Sequence, residues 1–199
     1  MSKDFYTAVK DRRTYYGISK ESPVSDTRIQ EIINNAVLHA PTAFNSQSGR
    51  VMVLLGEQHN ILWDITKGEL RKIVPPENIA STESKIDSFR NGYGTVLFFE
   101  DQSVVESLQR QFESYRDNFP VWSLEASGIL QYIVWTSLEI EGFGASLQHY
   151  NPIIDSEVAR EWNVPANWKL LAEMPFGKPI ADPDEKQFQP LDFRVKFLS

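Results

Sequence analysis

Cysteine is missing from all 199 residues. That excludes thiolate zinc, disulfides, iron–sulfur clusters and a catalytic cysteine, and it agrees with a reducing compartment. Histidine is nearly as scarce. His39, His59 and His149 lie far apart, and none has a metal-type partner at helical spacing, so no metal site is expected. Positive charge is in deficit, with 20 Lys and Arg against 27 Asp and Glu and a net charge of -7. Gripping nucleic-acid phosphates takes clustered Lys and Arg, so no nucleic-acid partner is expected, and the acidity reads as solubility. No run approaches the ~18 apolar residues of a membrane span. The opening MSKDFYTAVKDRR lacks the apolar core of a signal peptide. The expectation is a soluble cytoplasmic chain with no membrane partner.

Several catalytic signatures are absent too. No Gly-x-Ser-x-Gly elbow occurs, and Gly177-Lys178 is followed by Pro179, so no phosphate-cradling lysine loop exists there. GYGTVL and GFGASL begin like dinucleotide fingerprints but carry Leu where the third Gly belongs. The first also precedes its strand, whereas the fingerprint must follow one.

Apolar residues are plentiful, at 41% of the chain, with 12% aromatic. That supports one substantial core, or a core shared with a second subunit. DFYTAVKDR reads as a short helix. SDTRIQEIINNAVLHA has apolar residues at helical spacing, a Ser25 or Asp26 cap and Pro41 beyond its end. VMVLL and GTVLFFE read as buried strands. Residues 58–73 and 79–90 read as helices separated by Pro75-Pro76. SVVESLQRQFESYRDNF reads as one amphipathic helix, and the next, VWSLEASGILQYIVWTSLEIEGFG, is apolar on most sides in its middle. Such a helix belongs in a core centre or a subunit interface. Glu139 and Glu141 at its end read as a solvated face. GASLQHY and WKLLAEMPFG complete the strands, with DSEVAREWN a short helix between them. The order lacks regular strand–helix alternation, which predicts a single α+β domain over 1–199, with helices around a small mixed sheet. The tail from Lys178 carries Phe188, Leu191, Phe193, Val195, Phe197 and Leu198, and must dock on something. A second copy of the chain is the natural candidate.

Two stretches draw attention chemically. Arg12-Arg13-Thr14 follows the first helix. Two guanidiniums beside a hydroxyl can grip a phosphate, although arginines near a helix C-terminus are also favoured by the macrodipole. APTAFNSQSGR, before the first core strand, presents Asn45, Ser46, Gln47, Ser48 and Arg50. Side-chain amides offer adjacent donors and acceptors that can read the edge of a flat heterocycle.

These stretches, in this order, resemble the nitroreductase family of FMN proteins, and within it the small fatty-acid-repression-mutant-like subgroup. The resemblance spans Arg-Arg-Thr, Pro-Thr-Ala-Phe-Asn-Ser-Gln, the long central helix, Gly-x-Gly-Ala-Ser-Leu-Gln-His, Pro-Phe-Gly-Lys-Pro and a basic C-terminal segment. It implies a nitroreductase-like fold whose C-terminal extension docks on the partner of a homodimer. It also implies FMN contacts from Arg12, Arg13 and Thr14 to the phosphate and ribityl chain. Asn45 and Gln47 would face the ring or ribityl hydroxyls from the second subunit. Gln148 and His149 would run behind the flavin and offer a backbone N–H to N5. Lys85 would lie near the pyrimidine end, and Lys186 would reach the phosphate. The family's second basic position near the C-terminus is Phe188 here, which leaves Arg194 or Lys196 as the substitute. Ser48-Gly49 and Leu147-Gln148-His149-Tyr150 stand where many members have Pro-Trp and Pro-(Ile/Phe)-Glu-Gly.

FMN would carry the chemistry, so no catalytic side chain is expected. Phe44, Tyr93, Tyr115, Phe119 and Trp122 are candidates to line a pocket over the ring, with core packing the alternative for each. The implied activity is ping-pong oxidation of NADH or NADPH, with a small nitroaromatic or quinone-type acceptor. The alternative is a flavin-binding sensor with little turnover.

Overall fold

The computed structural model describes residues 3–198. Helix α1 (Phe5–Asp11) is capped by the Asp4 carboxylate, which accepts the Thr7 N–H. Helix α2 (Asp26–His39) is capped by the Ser25 hydroxyl and ends before Pro41. The helix pair after the first core strand forms as α3 (Glu57–Arg71) and α4 (Pro76–Arg90). The second begins at Pro76 itself, since a proline at the first helical position loses no hydrogen bond.

The sheet has five strands: β1 (Ile18–Ser19), β2 (Gly49–Leu55), β3 (Gly94–Asp101), β4 (Gly144–Ala145) and β5 (Trp168–Pro179). Their order is β1-β5-β3-β2, with β4 also on β5. Every ladder is antiparallel, and the parallel element is an isolated bridge between Thr14 and Ala145. β3 is buried along its whole length. Its Val96 and Phe98 face one core, with Ile29 and Ile33 of α2 and with Leu130, Val134 and Leu138 of helix α6 (Phe119–Ile140). Leu97 and Phe99 face a second core, with Trp63 of α3, Phe89 of α4 and Val158 of helix α7 (Asp155–Trp162). Period-two alternation along one strand thus serves both layers. A bulge at Leu171 lets Leu170 join the second core while Ala172 and Met174 join the first.

Three expectations change. The helix expected over 103–119 stops as α5 (Gln102–Gln111), followed by a short 3₁₀ turn, Glu113–Tyr115. The break turns Phe112 and Tyr115 toward Phe44, with ring centroids 4.9 and 5.8 Å away. Glu139 is buried rather than solvated. Lys3 pairs with it, while burial pushes its carboxyl up. Glu141 accepts the Arg28 guanidinium. Finally, GASLQHY is a strand only at Gly144–Ala145, with an isolated bridge at Gln148.

On the outer side of α6, Val121, Leu124, Ile129 and Tyr132 are exposed, as are Val37 and Leu38 of α2. Beyond Pro179 the tail is exposed nearly throughout, Phe193 and Phe197 almost completely.

Gly177 tests the close packing at the β5 end. A Cβ there would lie 2.2 Å from the Ser19 carbonyl oxygen and 3.0 Å from the Tyr93 nitrogen, both backbone. Gly177→Ala is expected to destabilise by about 1–3 kcal/mol or more in urea unfolding. Gly68 in α3 has open space around it, and Gly68→Ala is expected to stabilise by about 1 kcal/mol.

Candidate functional site

One group of expected residues gathers along a backbone edge. Past β4 the chain continues extended beside β5. Ser146 donates its N–H to the Pro175 carbonyl at 3.2 Å and Gln148 donates to Glu173 at 2.7 Å, with a return bond of 3.0 Å. Alternate residues therefore point their main-chain groups the other way. The Ala145 carbonyl does so, and accepts the Tyr15 N–H at 3.0 Å. Gly144 permits this approach, because a Cβ there would meet the Tyr15 side chain at 2.8–2.9 Å. Arg12, Arg13 and Thr14 consequently run along the same edge that continues to His149.

This geometry corrects one half of the Gln148–His149 expectation. The Gln148 N–H is taken by Glu173, and its side-chain amide donates to the Ser146 hydroxyl at 3.1 Å. Gln148 is an anchor. His149 is exposed, and its N–H, facing away from β5, has no partner among the described residues.

The basic residues differ in placement. The Arg12 guanidinium stacks 4.3 Å above the Trp135 ring, and its Nε is buried without a partner. Arg13 donates to the Asp184 carbonyl, tying the start of the tail to this edge. Lys85 on α4 lies 6.0 Å from the ring centroids of Tyr16 and Phe89, beside the same segment. Lys186 stacks on Phe188 at 5.2 Å, and Arg194 follows a short 3₁₀ turn, Leu191–Phe193; both are exposed in the tail.

The second group gathers at the other end of α6. Phe44, Asn45 and Gln47 all have φ near +50°, a left-handed conformation uncommon outside glycine. Such a run is strained and persists only when its surroundings hold it. Here the Thr42 carbonyl and hydroxyl accept the N–H groups of Asn45 and Gln47 at 3.1 and 3.2 Å. Arg50 donates to the Gln47 carbonyl at 2.7 Å and pairs with Asp101 at 2.9 Å. Asp101 in turn accepts from Ser103 and Asn167. Arg50 is therefore the loop's brace, while the side chains of Asn45 and Gln47 stay exposed.

The twisted loop aims Phe44 at a cluster of rings. Phe112, Phe119, Tyr115 and Trp122 stand 4.9, 5.3, 5.8 and 6.0 Å from it, with Trp122 nearly parallel at 20°. Phe44 and Trp122 line an open, largely apolar cavity of about 400 Å³ with Pro41, Ala126 and Ile129. Phe119 is buried in the core, Tyr115 packs on both rings, and of the five expected pocket aromatics Phe44 and Trp122 line the cavity. Tyr93 does not, since it packs on Phe143 and Phe176 and donates its hydroxyl to Asp26. Sequence reading missed Phe112 because it looked like one more turn of a continuous helix. A second cavity of about 560 Å³ lies beside the loop, bordered by Gln47, Arg50, Ser127, Trp168 and the buried Glu100.

α6 measures the separation between the two groups. Arg12 stacks on Trp135 and Phe44 on Trp122, thirteen residues apart, or ~20 Å at 1.5 Å per residue.

Known proteins share this arrangement of elements. Over 93% of both chains, nitroreductase FRM2 of Saccharomyces cerevisiae is 33% identical. Nitroreductase CinD of Lactococcus lactis, solved in complex with chloramphenicol, is 43% identical over 98% of this chain and 100% of its own, with a TM-score of 0.90. Its complexes with 4-nitrophenol and nicotinic acid, 44% identical at the same coverage, give 0.89 and 0.86. A Desulfovibrio desulfuricans protein solved with FMN shares the fold at 16% identity and a TM-score of 0.70, covering 100% of this chain and 99% of its own. The family model described as "Nitroreductase family" matches residues 9–178, and the chain belongs to that family of oxidoreductases.

Proposed function

We propose that this protein is an FMN-dependent oxidoreductase of the cytoplasm, working as a homodimer. It oxidises NADH or NADPH and reduces small nitroaromatic or quinone-type acceptors. The observation that carries this reading is the edge itself. The segment that begins with Arg12, whose Nε is buried without a partner, pairs through Thr14 and Tyr15 with Ala145, and four residues on the His149 N–H has no partner among the described residues. A phosphorylated heterocycle with an acceptor nitrogen meets both needs.

The chain's donor set fits such a ligand. Arg12, Arg13 and Thr14 would hold the phosphate and ribityl chain. Lys186 lies two residues past Asp184, whose carbonyl Arg13 holds, so it stays within reach of the same end. Arg194 is the tail's further cation for that role. His149 would donate its N–H at the ring, and Lys85 would balance negative charge at the pyrimidine end. When bound, FMN supplies the hydride and electron chemistry. NADH or NADPH and the acceptor would take turns over one open face, in ping-pong order. The complexes of CinD with 4-nitrophenol, chloramphenicol and nicotinic acid support planar rings as the ligands of that face.

Two copies are needed to complete the site. Asn45, Gln47 and the pocket lined by Phe44 and Trp122, with Tyr115 and Phe119 packed against them, stand ~20 Å along α6 from Arg12, so those of a second copy would close over the ring. The tail supports this pairing. In sequence, Leu191, Phe193, Val195 and Phe197 alternate with Asp192, Arg194 and Lys196, a half-buried strand pattern; in a single copy Leu191–Phe193 form a 3₁₀ turn, and the segment joins no ladder among the described residues. Strand β2 is a sheet edge, and a strand from a second copy would satisfy it.

Arg12→Ala with Arg13→Ala is expected to raise the FMN Kd by roughly 10- to 100-fold, since a charged hydrogen bond contributes about 1.5–3 kcal/mol. Flavin fluorescence quenching measures this, and an unchanged Kd would remove the phosphate assignment. Nitroaromatic-dependent NADH or NADPH oxidation by the yellow protein tests the activity. Bound FMN without turnover would make the chain a flavin-binding sensor. Ending the chain at Gln187 is expected to give monomers in sedimentation velocity, and an intact dimer would refute the strand exchange.

A further inference from the structure

The buried carboxyl of Glu173 has no part in the chemistry above, and a charge-bearing group inside a core is costly to keep. Its surroundings show what it does. Glu173 is fully buried in β5, opposite Leu97 of β3, and so faces the second core. Its backbone exchanges two hydrogen bonds with Gln148. Its carboxylate Oε2 accepts the N–H of Tyr150 at 2.9 Å, and Oε1 is buried without a partner. One residue therefore holds both neighbours of His149, residue 148 by main chain and residue 150 by side chain.

We propose that Glu173 is a positioning residue of the flavin site, its carboxyl fixing the direction of the His149 N–H by gripping the chain on either side of it. This rests on the FMN reading of that edge. It also explains why the expected 144–150 strand is irregular. The ladder to β5 passes from backbone to side chain at Tyr150, which leaves His149 turned outward.

The clamp is sensitive to protonation. Burial pushes the Glu173 carboxyl up to about 8, and the negative charge of Asp155 on α7 adds to it. The other titratable group around it is the Tyr150 phenol, pushed up to about 12 by burial and by Glu173. Trp63 and Phe89 of α3 and α4, packed on Tyr150, do not titrate. Lys169 of β5 acts on Asp155. Below about pH 8 Glu173 is neutral and the pocket is at ease. Above it, a buried anion sits next to Asp155 and behind the N–H that would face the flavin, opposing negative charge on a reduced ring. The sign for folding follows from the raised value: stability present below the ordinary Glu range is lost as pH rises toward about 8.

The test measures the midpoint potential of bound FMN over about two pH units on either side of that value. It is paired with FMN Kd and with the unfolding midpoint of the apoprotein. Wild type is expected to show a break in the potential near pH 8 and a falling apoprotein midpoint up to it. Glu173→Gln keeps an acceptor for Tyr150 but cannot ionise. It should bind FMN with an unchanged Kd, lose the break and flatten the apoprotein profile. Glu173→Leu removes the acceptor and should weaken FMN by about tenfold. A wild-type potential without the break, or a Gln variant that retains it, overturns the proposal even if the wild-type apoprotein titrates. Failure of wild type to bind FMN at any pH overturns the flavin reading instead, and the positioning role with it.

Discussion

The pairing of Gln148 with Glu173 is the constraint on which the site depends. Two backbone hydrogen bonds, 2.7 and 3.0 Å long, fix an extended segment against the part of β5, residues 172–177, that is buried without a break. Once residues 146 and 148 turn their N–H groups toward β5, residues 145, 147 and 149 must turn theirs away. That single alternation delivers the Ala145 carbonyl to Tyr15 and brings Arg12, Arg13 and Thr14 alongside. It also exposes the N–H of His149. Backbone pairing builds this edge as far as Gln148, and the Glu173 side chain carries it past His149 by accepting the Tyr150 N–H. Its accuracy is inherited from β5, which is held between two cores and cannot shift without disturbing both.

The other half of the site depends on strain. Phe44, Asn45 and Gln47 occupy left-handed φ values that cost about 1–3 kcal/mol each when unsupported. Thr42, Arg50 and Asp101 supply that support through hydrogen bonds and an ion pair that is only partly exposed. The return is direction. The loop points Phe44 into the Phe112–Tyr115–Phe119–Trp122 cluster and leaves two amides free. A relaxed connection between α2 and β2 would have placed the same residues elsewhere.

Much of this was readable from the residues. The caps and periodicity of α2, the buried runs of β2 and β3, and the long apolar α6 follow from pattern alone. Arg12-Arg13-Thr14 and the Asn-Ser-Gln loop stood out because polar groups concentrate where a simple turn would do. What stayed hidden depends on tertiary contact. Nothing local says that Arg50 braces its loop, because Asp101 lies fifty-one positions away. Tyr93 looked like a pocket residue until Asp26 claimed its hydroxyl. Glu139 looked solvated because Lys3, 136 positions away, is its partner. The irregular strand at 144–150 was misread because a carboxylate in β5 replaces a ladder bond, and such a substitution leaves no periodic trace.

The exposed apolar surface gives the last step. Within one chain, α6 shows Val121, Leu124, Ile129 and Tyr132 to solvent, and the tail shows Phe188, Leu191, Phe193 and Phe197. Each side chain of that size gains about 1.5–3 kcal/mol on full burial, so a surface carrying this many is costly to leave in water. The same helix carries the basic edge near one end and the aromatic pocket near the other, too far apart to share a ligand within one copy. Covering the apolar face with an identical helix would answer both problems at once, since a two-fold pairing would bring the pocket of each copy to the edge of the other. Assembly and ligand binding would then be one event in physical terms, with the cofactor acting as part of the interface between copies.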